Sequence, residues 1–431
     1  MLTDRINSLF RAIQKPINFY HIRITLSYMN IVGLDVGNSY AVSCCLSSFP
    51  PLIQQYFKRH RDTFERLSAN EAGVKKLLSL KPDGIVLEPT GHWYSHFWYR
   101  VAITNGIAVY WIGHSDLASQ RGSYGFPNKR DDEDALCLAA TFFDDRFIDE
   151  FGNKRFLNYY NDETIAHLRQ TFLEKEQLAK LRTGAIAILR QRLSYEFPEC
   201  AIRALNISHT REFTPVIGWL AGIHSDKRYE NLYDRSIARQ LDIKISDYTR
   251  SHSFAIVELE RRIMAHYELL DGIVKHSEFK HYNEVFDRFG FGLDNRALLL
   301  YHVYPIDKFL VDGSCWVEYE KSKGKRQKRD RSLRKFQSFL GMSYRLSQSG
   351  DSVKRKFGGS SIVRSHLYVW AVCQIAPSRH GYRVDTEVGR CLSDRYIEMR
   401  KVQKIKGKDA LIRILFKATR MLFYELVNNV R

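Results

Sequence analysis

Between residues 31 and 143, short apolar runs rich in β-forming residues alternate with segments of helical spacing, and this alternation constrains the fold most strongly. Residues 31–36 and 40–46 are two such runs, and the Gly-Asn-Ser turn between them predicts a β-hairpin. Further strands are expected at residues 84–88 and 107–112, and helices at 70–80, 93–104 and 131–143. Strands that alternate with helices indicate an α/β domain, of about 120 to 130 residues here.

The middle of the chain predicts a helical spacer. Side chains recur at intervals of three and four residues, as in the seam of a coiled coil, at Ile256, Leu259, Ile263, His266, Leu270 and Ile273. Residues 165–193 follow a similar pattern, which changes register near Lys175. The spacing fits two amphipathic helices of a globular bundle as well as a true coiled coil, and both give a helical connection.

Positive charge is in large excess. The chain has 66 Lys and Arg residues against 48 Asp and Glu residues, which gives a formal net charge of +18. Such an excess indicates a polyanionic partner, usually nucleic acid, with an anionic membrane surface as the alternative. Residues 321–329 are almost pure charge and predict a mobile, solvated loop. The same run is a candidate for phosphate contacts through Lys323, Lys325, Arg326, Lys328 and Arg329.

The sequence predicts a cytoplasmic, nucleoid-associated protein with no membrane partner. No run approaches the ~18 apolar residues of a transmembrane helix. Asp4 and Arg5 interrupt the region in which a secretory signal needs an unbroken apolar core. The seven cysteines are scattered and form no Cys-x-x-Cys pair, which indicates reduced thiols rather than a zinc site or a disulfide framework.

Four carboxylates stand in unusual places. Asp35 interrupts an apolar strand and Glu88 ends another, while Asp131 and Asp134 are three residues apart at a helix start and share one helix face. A carboxylate between apolar neighbours is costly when unpaired, so it needs a cation. Acids from two strands and one helix make a hard oxygen site suited to one or two Mg²⁺ ions. Taken singly, each has an ordinary alternative, such as a turn residue or a helix cap.

These residues lie in motifs that resemble a known family. The stretches Gly33–Val36 (Gly-Leu-Asp-Val), Leu87–Tyr94 (Leu-Glu-Pro-Thr-Gly-His-Trp-Tyr) and Lys129–Ala135 (Lys-Arg-Asp-Asp-Glu-Asp-Ala) resemble the DEDD transposases of the insertion-sequence 110 family, relatives of the pilin-gene inverting recombinases. The second transposase domain of that family is similar to the segments Phe339–Met342, Gln348–Gly350, Gly359 with Arg364, and Gly407–Ile412. The resemblance covers residues 30–426.

The resemblance implies a fold and a metal. It implies a RuvC-like, ribonuclease H-type α/β domain, a helical coiled-coil spacer and a mostly α-helical C-terminal transposase domain. The corresponding boundaries are 1–29 for an N-terminal extension, 30–155 for the catalytic domain, 156–280 for the spacer and 281–431 for the C-terminal domain. The catalytic metal, Mg²⁺ or Mn²⁺, would be held by Asp35, Glu88, Asp131 and Asp134.

A serine nucleophile in the C-terminal domain is also implied. The matching position is Ser349 in a Gln-Ser-Gly sequence that reads as a turn, with Ser347 as the alternative. A serine that attacks a phosphodiester conserves the bond energy as a phosphoserine ester, which allows rejoining without ATP. The expected activity is transposition of an insertion element by cutting and rejoining donor and target DNA. Family members use a structured guide (bridge) RNA, and a homodimer or homotetramer is expected.

The chain departs from the family pattern in several places. Phe289–Gly292 stands where the family has Pro-Gly-x-Gly, and Tyr344 stands where it has proline. The basic insert at 321–335 and the N-terminal 28 residues are additional, and Arg364 joins the candidate nucleic-acid contacts. None of these departures removes a proposed catalytic residue.

Three other functions remain open at this point. A RuvC-like, structure-selective nuclease would use metal-activated water and would not need Ser349. An actin-like sugar or acetate kinase would use residues 33–39 as a phosphate loop, although no second Asp-x-Gly loop follows at a suitable distance. A non-catalytic nucleic-acid-binding protein would require the four acids to be incidental.

Overall fold

The computed structural model describes residues 29–90, 93–148, 158–159, 163–202, 212–311, 313–322, 325–349, 352–376 and 381–430. For residues 115, 147, 158–159, 320–322, 325, 345–349 and 352–355 the backbone alone is described. The chain divides into two compact units, Met1–Asn161 and Asp162–Arg431. The predicted spacer from residue 162 onward and the predicted C-terminal domain lie in the second unit, while the predicted N-terminal extension lies outside the described residues except for Met29.

The first unit is a mixed α/β domain, as predicted. Its strands are β1 Ile31–Gly37, β2 Tyr40–Leu46, β3 Glu65–Ser68, β4 Gly84–Leu87, β5 Ala108–Trp111 and β6 Asn158–Tyr159. They form one sheet in the order β3-β2-β1-β4-β5-β6, in which β4 and β5 run parallel to β1 and the other neighbours pair antiparallel. The predicted hairpin is confirmed, and Asp35 lies opposite Val42 in its register.

Helices pack on both faces of this sheet. The helices are α1 Ile53–His60, α2 Glu71–Ser79, α3 Tyr94–Thr104, α4 His114–Ser123 and α5 Asp131–Phe143. Along β1, Val32, Leu34 and Val36 join the core beneath α3. Ile31 joins the core beneath α5 instead. Because side chains alternate along a strand, Asp35 shares the α5 face with Ile31.

Gly33 explains how closely α5 approaches the sheet. A Cβ atom at Gly33 would lie 2.1 Å from the carbonyl oxygen of Ala135 and 2.5 Å from the amide nitrogen of Ala139. The backbones of β1 and α5 are therefore in direct contact at this point. This contact fixes the first turn of α5, with its acidic residues, beside Asp35.

We expect Gly33→Ala to separate α5 from the sheet, because both obstructing atoms belong to the backbone and cannot rotate away. Overpacking of this kind costs about 1–3 kcal/mol or more, which urea unfolding would measure. Gly122→Ala is the control, because a Cβ at Gly122 meets nothing within 4 Å and alanine favours the helical state. An equal loss of stability in both variants would contradict the tight contact.

The second unit is mostly helical, as predicted. Its helices are α6 Glu163–Glu196, α7 Pro198–Ala201, α8 Pro215–Leu220, α9 Lys227–Asp234, α10 Ile237–Gln240, α11 Asp247–Val274, α12 Lys280–Arg288, α13 Leu293–Val303, α14 Arg331–Phe339, α15 Ser361–Trp370, α16 Glu387–Lys401 and α17 Gly407–Asn429. Its strands form two hairpins, β7 Val317–Ser322 with β8 Lys325–Asp330 and β9 Ser343–Ser349 with β10 Ser352–Gly358.

The long helices α6 and α11 pack against each other in opposite directions. One core joins Phe172 of α6 to Leu270 of α11, and a second core joins Leu189 of α6 to Ile256 of α11. At the predicted change of register, the ammonium group of Lys175 is buried and lies 2.6 Å from carboxylate oxygens of both Glu176 and Asp294. A buried ion pair replaces the apolar seam there, because α13 supplies Asp294 as the partner.

The basic run is a β-hairpin, so the predicted mobile loop is wrong. β7 and β8 pair antiparallel, and Glu318 lies directly opposite Arg329. Opposite charges at facing positions stabilise antiparallel strands. The guanidinium of Arg326 also lies 4.2 Å from the ring centre of Tyr319. Arg331, the first residue of α14, donates to the carboxylate of Glu318 at 2.5 Å and so links β7 to the helix that follows the hairpin.

Among the described residues, no helix combines the length and the apolar character needed to cross a bilayer.

Candidate active site

The polar residues of the first unit gather at one edge of the sheet. Asp35 lies near the carboxyl end of β1, Glu88 follows β4, and His114 comes three residues after the end of β5. Because β1, β4 and β5 are parallel, their carboxyl ends meet at the same edge, where open α/β sheets commonly bind ligands. The first turn of α5 brings Asp131 and Asp134 to the same place. The structure therefore brings the four predicted carboxylates together.

The charge state of Asp35 reflects this crowding. The side chain is 7 % exposed and has no hydrogen bond or ion pair among the described residues. Burial, followed by the negative charges of Asp134, Asp131 and Glu88, raises the pKa of Asp35 from 3.8 to about 7, while Lys129 opposes the rise. Asp35 therefore lies beside three other carboxylates and forms no ion pair among the described residues, so negative charge is concentrated at this site.

Two of the other carboxylates are held by neighbours that bind one oxygen each. The hydroxyl of Tyr40 donates to Oδ2 of Asp131 at 3.0 Å. Arg121 donates to Oδ1 of Asp134 at 2.5 Å. The remaining oxygen of Asp134, Oδ2, is buried and has no hydrogen-bond partner. Burial raises the pKa of Asp134, and the hydrogen bond from Arg121 opposes that rise.

Glu88 is bound through both oxygens. Nδ1 of His114 lies 2.9 Å from its Oε2, and the hydroxyl of Thr90 donates to its Oε1 over 3.4 Å. Gly91 and His92 of the same motif lie outside the described residues. His114 is itself 62 % exposed, so the only buried member of this pair is the carboxylate.

The helix itself accounts for part of this arrangement. All four residues of the first turn of α5, from Asp131 to Asp134, are acidic. Negative charge at a helix N-terminus is stabilised by the helix dipole, typically by about 0.3–1 kcal/mol for each residue. Capping alone would not require Asp35, which lies on β1, or Glu88, which directly follows β4. The joint arrangement therefore favours a binding site over simple capping.

The residues present fit a divalent cation in charge and in donor type. Four carboxylates lie at one edge, and within the described part of the chain Asp35 has no ion pair and the buried Oδ2 of Asp134 has no hydrogen-bond partner. Within the described ranges, however, no group of three or more His, Cys, Asp and Glu side chains is arranged to hold a metal ion. Tyr40 and Arg121 each hold a carboxylate that a bound cation would have to share. Oxygen donors of this kind suit Mg²⁺ or Mn²⁺ rather than a soft metal.

Sequence reasoning did not identify Tyr40, His114 or Arg121. The sequence pattern could have indicated the last two. His114 follows a strand that is parallel to β1 and β4, and Arg121 lies seven residues later, about two turns along the same face of α4. Tyr40 carried no comparable signal. Its position beside Asp131 depends on a contact between residues 91 positions apart.

We expect Arg121→Gln to destabilise the metal-free protein by about 3 kcal/mol at pH 8, because it leaves the buried charge of Asp134 without its partner. The loss should be smaller at pH 5, where Asp134 can take up a proton. Mg²⁺ should restore part of the stability by replacing the lost positive charge. Urea unfolding with EDTA or MgCl₂ measures each case. Arg61→Gln is the control, since Arg61 is 4.0 Å from Asp132 at the surface, and an equal loss in that variant would refute the assignment.

The predicted serine lies in the second unit, on β9. Ser349 is the last residue of the strand and pairs with Ser352 of β10, and Ser347 pairs with Lys354. The predicted turn is thus wrong for Ser349, because this residue is part of the strand β9 and pairs with β10. The side chains of both serines lie outside the described part of the chain.

The described residues among the predicted nucleic-acid contacts lie in two places, the β7–β8 hairpin and helix α15. Lys323 lies outside the described residues, and Lys325, Arg326, Lys328 and Arg329 lie along β8. Arg364 on α15 is half-buried and donates to the carbonyl oxygens of Gly341 at 2.9 Å and Gly358 at 3.4 Å, so it links α15 to the end of β10. A role of these residues in nucleic-acid binding stays a prediction.

No protein-family model and no curated protein matches this chain. The family resemblance therefore depends on the motifs of the sequence alone.

Proposed function

We propose that the protein is a metal-dependent DNA recombinase of the transposase type. The observation that carries the proposal is the convergence of Asp35, Glu88, Asp131 and Asp134, and burial together with the three neighbouring acids raises the pKa of Asp35 to about 7. Such a site attracts a divalent cation and, through it, the phosphate groups of a nucleic acid. The net charge of +18 supports a polyanionic substrate.

The sheet supports the finer proposal of a ribonuclease H-type, RuvC-like domain. Its first three strands form an antiparallel meander, and the next two lie parallel to β1 on its other side. Acids on β1, after β4 and on α5 then surround the end of the first strand. We take the α6–α11 pair as the coiled-coil spacer of the same proposal.

In the proposed site, the four carboxylates would hold Mg²⁺ or Mn²⁺, which supplies positive charge to the phosphoryl group as it is transferred. Arg121 and Tyr40 each bind one oxygen of a carboxylate and so orient the other oxygen. Glu88 is oriented in the same way by His114. These three residues are positioning groups, since each acts through a carboxylate.

Ser349 is the proposed nucleophile. Its Oγ forms a bond to phosphorus, loses its proton to a base, and displaces one end of the DNA strand, whose oxygen takes up a proton. The phosphoserine ester keeps the energy of the broken bond, so the hydroxyl of a second strand can displace the serine and complete the exchange. Nothing besides donor and target DNA is consumed.

Two partners belong to the same proposal. A structured guide RNA would select the target, and two or more protomers would supply one active site for each exchanged strand. Both follow from the family resemblance, and the excess of positive charge supports either DNA or RNA as partner.

The test is recombination by the purified protein on labelled donor and target DNA with Mg²⁺ and the transcript that flanks its gene. We expect joined products that disappear in EDTA. Treatment with ribonuclease before the reaction isolates the role of RNA, and undiminished recombination after it would refute guidance. Cleavage without joining would instead favour the nuclease with a water nucleophile.

A further inference from the structure

A row of cations on α17 lies beside an exposed aromatic stack in the second unit. Arg413, Lys417 and Arg420 follow one another at intervals of four and three residues, so they share one face of the helix. Arg413 and Arg420 are exposed, and Lys417 is half-buried. The opposite face of α17, which includes Ile414 and Leu422, is packed in the core of the unit and fixes the orientation of the row.

The cations of this row form no ion pair among the described residues, although the carboxylate of Glu398 on α16 interacts electrostatically with Lys417. Arg413 and Arg420 have no ion pair or hydrogen bond among the described residues. The ammonium group of Lys417 donates to Sγ of Cys391 at 3.2 Å rather than to a carboxylate. By contrast Arg395, across on α16, is paired with Glu398 at 2.5 Å. Exposed cations that are not held in an ion pair are available to bind an anion.

The row borders a continuous concave surface. One hollow of about 890 Å³ lies between α16 and α17 and is lined by Lys417 and Arg420, together with Asp394, Arg395 and Glu398 of α16. A second hollow of about 330 Å³ adjoins it and is lined by Arg413, Lys417, Arg420 and the ring of Phe416. All three cations therefore line one groove made of these two adjoining hollows, and they extend over about 10 Å of α17 at 1.5 Å per residue.

An aromatic stack lies next to the groove. The ring centre of Phe416 is 5.5 Å from that of Tyr344, and Tyr344 is 4.6 Å from Phe357 with an interplanar angle of 34°. Tyr344 is nevertheless 47 % exposed. It stands on β9, where two neighbouring rings fix its orientation while part of its surface remains open to solvent.

We propose that this groove binds an unpaired nucleic-acid strand, with Arg413, Lys417 and Arg420 on consecutive phosphates and Tyr344 stacked on a base. A basic groove beside an exposed aromatic ring is the combination that binds single strands, because only an unpaired base can turn its face to a side chain. The bases of a duplex are stacked on each other and do not reach such a ring. DNA and RNA strands share this chemistry.

The inference deepens the proposed function and rests on it for its role, since a recombinase must hold the strand that it has opened. Tyr344 lies five residues before Ser349 on β9, a distance of about 17 Å along an extended strand. The proposed strand site and the proposed nucleophile therefore lie on the same β-hairpin.

Binding is tested without metal, so that an inactive carboxylate site would not affect the result. Labelled oligothymidylate, oligouridylate and a DNA duplex of equal length are titrated in EDTA over a series of salt concentrations, with fluorescence anisotropy as the readout. The triple variant Arg413→Gln, Lys417→Gln, Arg420→Gln should lower the slope of log affinity against log salt by about 2 for single strands, at about 0.7 for each phosphate contact.

The matched control neutralises Lys227, Arg239 and Lys244 instead. These three cations are exposed and, within the described residues, carry no ion pair. Their removal changes the net charge of the protein equally and should leave the slope as in the wild type. Equal effects of the two triple variants would overturn the proposal, because binding would then depend on overall charge rather than on this row.

Tyr344→Ala should weaken binding of the single strands about tenfold without changing the salt slope, and should leave duplex binding unchanged. Tyr344→Phe retains the ring and should bind as the wild type. Tyr344→Leu fills the space against Phe357 and Phe416 but has no aromatic face, so it separates stacking from folding. Full affinity of Tyr344→Leu, or equal losses for duplex and single strands, would overturn the proposal. A difference between oligothymidylate and oligouridylate identifies the preferred strand.

Discussion

Asp35→Asn is expected to abolish strand cleavage and joining while leaving nucleic-acid binding nearly unchanged. The substitution keeps the shape of the side chain and removes the one of the four carboxylates that has no hydrogen bond or ion pair among the described residues. A catalytic metal would lose a ligand from the centre of the site. Recombination at the wild-type rate in Mg²⁺ would refute the assignment of the metal site.

The same variant should be more stable than the wild type when metal is absent. The pKa of Asp35 is about 7 in the folded protein and 3.8 in the reference state, so the folded state holds the extra proton between these values. Unfolding free energy therefore falls as pH rises from 4 to 8, by about 4 kcal/mol for this group, and the asparagine variant lacks that loss.

Urea unfolding in EDTA at pH 4 and pH 8 measures this effect as the difference between the two proteins. The difference should be near zero at pH 4 and favour the variant at pH 8. Added Mg²⁺ should then stabilise the wild type more than the variant, because only an ion bound to the folded state shifts the equilibrium. Asp62→Asn, at a side chain that is 97 % exposed, is the control and should show neither change.

Ser349→Ala is expected to eliminate the covalent protein–DNA adduct and all strand exchange. The change removes one hydroxyl at the end of β9, where the backbone pairing with Ser352 does not depend on the side chain. Stability should change by no more than ~0.5 kcal/mol if the site is exposed. Denaturing electrophoresis of labelled DNA after a short reaction detects the adduct directly.

Ser347→Ala is the matched control on the same strand and should form the adduct. Loss of the adduct in Ser347→Ala but not in Ser349→Ala would move the nucleophile by two residues. If the wild type itself forms no adduct but still cuts DNA in Mg²⁺, the nuclease that uses water replaces the recombinase. Weak metal-dependent nicking by Ser349→Ala is compatible with the proposal, since the carboxylates remain.

The elements that the sequence predicted correctly are those that depend on residues close together in the chain. The hairpin of β1 and β2 and the helix at Asp131–Phe143 follow from residues close together in the chain, and both are confirmed. The basic hairpin was missed for a related reason. Its two strands pair with Glu318 opposite Arg329, and a run of charge considered alone gives no sign of that pairing.

The sequence by itself determined the strands and helices of the first unit that carry the four acids, and their order, because strand and helix periodicity is a local property. Only the tertiary structure decided how those acids are charged and oriented. The pKa of Asp35 depends on burial and on Asp131, Asp134 and Glu88, which folding alone brings beside it. The hydrogen bond from Arg121 to Asp134 and the ring contact between Tyr344 and Phe416 also join residues from separate elements. Tertiary packing rather than local sequence creates both contacts.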